Sequence, residues 1–320
     1  MSQVSEFSHL PVLFAPCMEN LKILPSGVYV DCTAGGGGHS KGIFERLGPG
    51  GHLISLDKDD EALAACANTR ANSVGSAEWS IVKSDFGSIA RVLEDLSIER
   101  VDGILADLGV SSHQLDTADR GFSYVSNGPL DMRMDKTQAV SARTVVNSYA
   151  EDRLVAIFRT YGEERYSGRI ATAIVNERRN NPIETTSQLA AIISRAMPAK
   201  AKKEDQHPAR RCFQAIRIEV NQELAALENL LAAAPGVLRS HGRIEIISFH
   251  SLEDRMVKDA FRSWEDPCTC PREFPICNCG KTKMGKVITR KPIEADAAES
   301  ASNKRAHSAK LRVFERNENL

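Results

Sequence analysis

Apolar and polar positions alternate along the first third of the chain in a repeating order. Short apolar runs at 27–30, 51–56, 79–82 and 101–105 predict strands, and the stretches 40–47, 60–72 and 89–96 between them predict helices. Strand, turn, helix, strand at this spacing implies a parallel α/β sheet with right-handed crossovers. Ligands of such sheets bind past the carboxyl ends of the strands. The alternation then stops. Residues 113–134 form a polar loop, and 141–159, 163–180 and 186–197 predict three helices with no strand between them, punctuated by Pro182 and Pro198. A further helix is expected at 212–233, a strand at 243–249 and a helix at 252–264. Residues 292–306 are expected to be a flexible linker before a last apolar piece at 311–314. The simplest account is a helical insertion, with its active-site loop, over 113–212. It interrupts a discontinuous α/β core made of 1–112 and 213–320.

Composition narrows this picture without changing it. The 320 residues carry 41 Lys+Arg against 42 Asp+Glu, a net charge of −1, with 42% hydrophobic residues. That excludes a uniformly basic nucleic-acid coat and an acidic disordered chain. Aromatic residues, at 6%, are too sparse for a sandwich built on stacked rings. No stretch approaches a membrane span, and no leader pattern precedes residue 20, so a cytoplasmic protein is expected. Four cysteines (Cys17, Cys32, Cys66, Cys212) are scattered on apolar segments, as buried thiols are.

The strongest chemical signal is V-D-C-T-A-G-G-G-G-H at 30–39. Glycines there let a backbone turn tightly and a ligand approach without a Cβ in the way. Asp57, 20 residues past Gly37 at the end of the next strand, suits a ribose diol. Asp31 would repel a pyrophosphate but suits a ligand with a cationic end, such as the sulfonium and ammonium of S-adenosylmethionine. Ser84-Asp85-Phe86 past the third strand offers a carboxylate and a ring to an adenine. D-L-G-V-S-S at 107–112 ends the fourth strand, where Asp107 would face both cofactor and acceptor.

Taken together, these residues resemble the cytosine-N4 methyltransferases of small-subunit ribosomal RNA, the RsmH or MraW family. The resemblance rests on H-L-P-V-L at 9–13, the glycine run with His39, D-L-G-V-S-S-H-Q-L-D at 107–116 and R-G-F-S-Y at 120–124. It continues through G-P-L-D-M-R-M-D at 128–135, Y-G-E-E-R-Y at 161–166, the eighteen residues from His207 to Leu224, and S-F-H-S-L-E-D-R at 248–255. It implies a class I (Rossmann-like) methyltransferase sheet with an inserted all-helical domain, acting on the N4 amine of a cytosine in 16S ribosomal RNA. It also implies S-adenosyl-L-methionine held by Gly37, Gly38, His39, Asp57, Phe86, Asp107 and Gln114. His39 and Gln114 come from the resemblance alone. Asp107 is the expected catalytic residue, orienting the amine or taking its proton.

Many amine methyltransferases carry an N/D/S-P-P-aromatic tetrapeptide at this strand end. Here D-L-G-V replaces it, so the base-stacking ring must come from elsewhere, and Phe122 and Tyr124 are the candidates. The competing readings are a DNA or protein amine methyltransferase, and an RNA-binding assembly factor without transfer. The expected partner is 16S ribosomal RNA or the small ribosomal subunit, met by phosphate contacts from Lys200, Lys202, Lys203, Arg210, Arg211 and Arg217, and from Lys281, Lys283, Lys286, Arg290 and Lys291. Cys268-Thr-Cys270 and Cys277-Asn-Cys279 make two C-x-C pairs that could hold zinc. The spacing is tighter than the usual C-x-x-C, so no metal is assigned to them.

Overall fold

The computed structural model describes residues 11–198, 207–271 and 278–318. The chain divides into two compact units, one running to Gly109 and resuming at Ala225, the other spanning Val110–Leu224.

Among the described residues of the first unit, seven strands form one sheet. They are β1 (Val28–Asp31), β2 (His52–Asp57), β3 (Glu78–Lys83), β4 (Val101–Asp107), β5 (Leu238–Ser248), β6 (Gly285–Val287) and β7 (Lys310–Arg316). Their order is β3-β2-β1-β4-β5-β7-β6. The first five are parallel, and β7 runs antiparallel to both β5 and β6. In the part of this unit that runs to Gly109, the helices are α1 (Phe14–Asn20), α2 (Gly38–Phe44), α3 (Asp60–Ala71) and α4 (Ile89–Asp95). Strand order reverses between β1 and β4, and that reversal opens a crevice at the carboxyl ends of the strands. Leu53, Ile54 and Leu56 of β2, and Ile104, Leu105 and Ala106 of β4, are wholly buried, as strands covered on both faces must be.

The second unit holds α5 (Ser112–Asp116), α6 (Ala142–Ser148), α7 (Glu151–Thr160), α8 (Ser167–Arg178), α9 (Thr186–Ala196) and α10 (Arg210–Asn221). Its core joins Val145, Phe158, Ile170, Ile193, Phe213 and Ile216. The expected helix at 141–159 is two, because the chain turns extended at Tyr149 and Ala150. The expected helix at 212–233 is also two, broken at Gln222, whose φ of 53° is left-handed. The second piece, α11 (Glu223–Val237), sends Leu227, Leu230 and Ala234 into the sheet's core. Meanwhile Cys212, Phe213 and Ile216 of α10 belong to the helical core. The division therefore falls after Leu224 and not after 212 as the pattern suggested.

Two other expectations are corrected. The 113–134 loop is built: α5 is closed by a capping box, and buried Arg120 donates to the carbonyls of Arg133 and Met134 at 3.0 and 3.2 Å. The 292–306 segment is no bare linker. It contains α13 (Ala297–Ser302), which follows α12 (Ser251–Glu265), and the Leu13 amide donates to Glu299 Oε1 at 2.7 Å. No helix among the described residues is long and apolar enough to cross a membrane.

Candidate active site

The parallel register puts Asp31, Asp57 and Asp107 at the ends of β1, β2 and β4, on one edge of the sheet. Backbone and hydroxyl donors stitch these ends together. Gly35 donates its amide to Asp57 Oδ2 at 2.9 Å, and the Asp59 amide donates to Asp57 Oδ1 at 2.9 Å. Both oxygens of Asp57 thus accept backbone amides, and a carboxylate so held can still accept from a vicinal diol. Burial pushes the Asp57 carboxyl above its ordinary range, and the backbone amides of Asp59, Gly35 and Lys58 oppose that shift. The glycine run turns through left-handed φ values of 49° at Gly35 and 80° at Gly37. A Cβ on Gly37 would sit 3.0 Å from Thr69 Cβ, and one on Gly38 would sit 2.4 Å from Pro11 Cγ. Both positions therefore demand glycine, whereas Gly36 faces open space.

Asp31 is wholly buried and points inward. It accepts from Ser40 Oγ at 2.6 Å and from the Thr33 amide at 3.1 Å. Ser40 lies 2.7 Å from Ser55 Oγ, which accepts from Trp79 Nε1 at 2.8 Å. The carboxyl expected to face a cationic ligand is thus enclosed in a satisfied network. Any influence on a ligand is through space. Burial raises its pKa, and the Ser40 and Thr33 hydrogen bonds oppose that shift.

Asp107 is different. Its amide is held by Thr33 Oγ1 at 2.7 Å, which ties β4 to the glycine turn. Its Oδ1 is sealed from solvent and has no hydrogen-bond partner among the described residues, though the side chain as a whole is 18% exposed. Burial lifts its pKa from 3.8 to about 6, the Arg305 guanidinium pulls it down, and Glu253 pushes it up. His39 stands 3.8 Å away, Nδ1 to Oδ2. The other ring nitrogen of His39 lies 3.1 Å from the Val12 carbonyl. A carbonyl only accepts, so Nε2 carries the proton there. Burial lowers the His39 pKa, which favours the neutral ring and leaves an Nδ1 lone pair, not a donor, facing Asp107. An acceptor oxygen in a water-poor place without a donor is an arrangement a ligand N–H would complete.

Past β3, Asp85 accepts from Lys58 Nζ and from the Gly87 amide, both at 2.9 Å. Both of its oxygens are engaged, while Phe86 is half-buried against the sheet core. Sequence reasoning missed three groups on this edge. Arg305, 5.5 Å over the Phe249 ring, acts on both Asp107 and His39. Glu253 caps the turn after β5 by accepting from the Phe249 amide at 2.9 Å, and Thr33 ties the strand ends. The S-F-H-S-L-E-D-R motif was the available signal for Glu253. Nothing in the expected linker marked Arg305.

In the helical unit, Gln114 closes the α5 cap: Ser111 donates its amide to Gln114 Oε1 at 3.0 Å. Phe122, a candidate stacking ring, is instead 6% exposed and part of the helical core. Tyr124 is only half-buried. It stacks on the His207 ring with centroids 4.8 Å apart and meets the edge of Phe213. Arg217, expected to meet phosphate, is spent on Glu223 through two bonds of 2.8 and 2.9 Å. Lys200, Lys202 and Lys203 lie outside the described residues, as does Cys277.

Comparison with known proteins decides the family, since the model of the MraW methylase family matches residues 6–317. The chain belongs to the MraW methylase family. It is 50% identical over 307 residues to a protein of Symbiobacterium thermophilum named ribosomal RNA small subunit methyltransferase H, covering 96% of each chain. It is 52% identical to the protein of that name from Clostridium botulinum strain Loch Maree, covering 96% of this chain and 98% of that one. The carboxylate-lined strand ends above are therefore the edge of a methylase sheet.

Proposed function

We propose that this methylase transfers a methyl group from S-adenosyl-L-methionine to the exocyclic N4 amine of a cytosine in 16S ribosomal RNA, in the cytoplasm, where small subunits are assembled. The observation that carries the reading is the Asp107 carboxylate at the end of β4, 18% exposed and with Oδ1 lacking a donor among the described residues, beside a glycine turn pinned by Asp57. The cofactor's needs fit the residues present. Asp57 offers a carboxylate to ribose hydroxyls, Gly35 and Gly37 hold a turn with no Cβ, and Phe86 offers a half-buried ring to the base. Gln114 belongs to this set by the family resemblance.

When bound, S-adenosylmethionine supplies an electrophilic methyl group on a positively charged sulfur. The acceptor nitrogen is a poor nucleophile, because its lone pair is delocalised into the cytosine ring. Asp107 answers this in two ways. Its carboxylate accepts an amine N–H and so orients the nitrogen, and it takes the proton that the nitrogen must shed as the new bond forms. With a pKa of about 6, Asp107 is mostly ionised at neutral pH and still basic enough to hold that proton. Neutral His39 offers Asp107 no competing charge.

The relatives named above carry the small-subunit ribosomal RNA reading, and the same substrate is proposed here on that likeness. Purified protein, tritiated cofactor and small subunits lacking the modification test it directly. Label should enter one cytosine of 16S RNA, and Asp107→Asn should lose transfer more than cofactor affinity. Label in DNA or protein instead would reject the substrate assignment.

A further inference from the structure

The segment between α12 and β6 is anchored at its base. Met284 donates its amide to the Trp264 carbonyl at 2.8 Å, and the Val287 amide donates to Glu265 Oε1 at 3.0 Å. Between those anchors, none of the described residues of 266–283 is buried. The described residues of this segment therefore form no apolar core. Even so, the sulfurs of Cys268, Cys270 and Cys279 converge, all within 4.8 Å of one another. Cys268 and Cys279 are 3.9 Å apart, sulfur to sulfur, across eleven residues of chain. A disulfide needs about 2.05 Å, so this is not a bond. For zinc bound by thiolates at ~2.3 Å, the edge of the tetrahedron is about 3.8 Å. The sulfur separation thus matches the spacing a shared metal would impose. A second feature agrees: the Asn278 amide donates to Cys270 Sγ at 3.4 Å. A backbone N–H directed at a sulfur stabilises the thiolate form that a metal requires.

We propose that Cys268, Cys270 and Cys279 bind a zinc ion, or another soft divalent cation, that closes this surface loop. The cation displaces the thiol protons, which leave to solvent, and no electron moves. A tetrahedral ion keeps one further position, filled by another sulfur or by water. The metal supplies a cross-link that the described residues of the loop do not otherwise provide. Exposed Lys281 and Lys283 follow Cys279 by two and four residues, so the site fixes the start of a basic strip. This goes beyond the sequence reading, which left zinc at the C-x-C pairs open, and it does not depend on the methyl-transfer reading.

The full chain, purified in reductant without chelator, should carry about one zinc per molecule by elemental mass spectrometry. Replacing zinc with cobalt should give the near-ultraviolet sulfur-to-metal charge-transfer absorption of thiolate ligation. Cys268→Ser/Cys270→Ser should lose at least nine-tenths of the metal and the absorption. Its unfolding midpoint should stay near wild type, since neither residue is in the core. Extracting zinc from the wild type with a chelator should speed tryptic cleavage after Lys281 and Lys283, a reading that needs no variant. Metal far below one per chain with no cobalt absorption would overturn the proposal. So would a Cys268–Cys279 disulfide in protein purified under reductant, or full metal retention by the double variant.

Discussion

Replacing Asp107 with Asn should make the methylase more stable and nearly inactive, and both effects can be sized. Burial holds the Asp107 pKa at about 6 against 3.8 for an ordinary Asp. That difference of about 2 units, at ~1.4 kcal/mol per unit, costs the folded state about 3 kcal/mol when the carboxylate is ionised. The sign follows from the direction of the shift. A carboxyl whose pKa is raised by folding contributes fully below 3.8, and that contribution is lost as pH rises through about 6. Asparagine does not titrate and escapes the cost. With the side chain 18% open to water, we expect a gain of about 1–3 kcal/mol at pH 7.5, or roughly 3–10 °C in Tm for a unit of this size. The gain should vanish by pH 4. Transfer should fall by about 10²–10⁴, the usual worth of a positioned proton acceptor. Differential scanning calorimetry of the cofactor-free protein from pH 4 to 8, beside transfer assays, measures both. A Tm that drops at pH 7.5, or a gain that persists unchanged at pH 4, would refute the reasoning.

Three further outcomes follow from the same geometry. Asp57→Ala removes the carboxylate proposed for the ribose and frees the Gly35 amide, so titration calorimetry should show S-adenosylmethionine affinity down about 10–100-fold; unchanged affinity would remove Asp57 from the site. Glu245 on β5 is wholly buried, with only the weakly bonding Cys17 thiol beside it, and is pushed well above the carboxyl range by burial, with Arg243 and that thiol opposing. Its stabilising contribution is present at acid pH and lost as pH rises, so Glu245→Gln should raise stability at pH 8 relative to pH 5 in urea titrations, and a loss at pH 8 would contradict this. Lys281→Ala/Lys283→Ala should flatten the salt dependence of RNA binding by about one unit of log–log slope per lysine, while Arg217→Ala, its charge already spent on Glu223, should leave that slope alone.

The parallel half of the sheet was legible because burial on both faces writes itself as unbroken apolar runs, as in Leu53-Ile54 and Ile104-Leu105-Ala106. Edge strand β6, three residues long with an exposed lysine at its centre, writes no such run. The start of β5 was hidden by an irregularity. Its register against β4 shifts between Val101 and Gly103, and His241 has a φ of 62°. The break at Gln222 was equally silent, since glutamine is a good helix former and nothing local favours a left-handed φ there. Asp57 and Asp107 could be named because strand ends are visible in sequence. Arg305 could not, because its effect on Asp107 comes from a segment nearly two hundred residues away. Phe122 shows the limit of reading chemistry from residue type: a ring that suits base stacking suits a helical core equally well.

The central claim is tested most directly by mass spectrometry of 16S ribosomal RNA from cells lacking this gene, complemented with the wild-type chain or with Asp107→Asn. The account predicts one N4-methyl group missing from a single cytosine in the deletion, restored by the wild type and not by Asp107→Asn. A 16S RNA whose cytosine methylation is the same with and without the gene would contradict it.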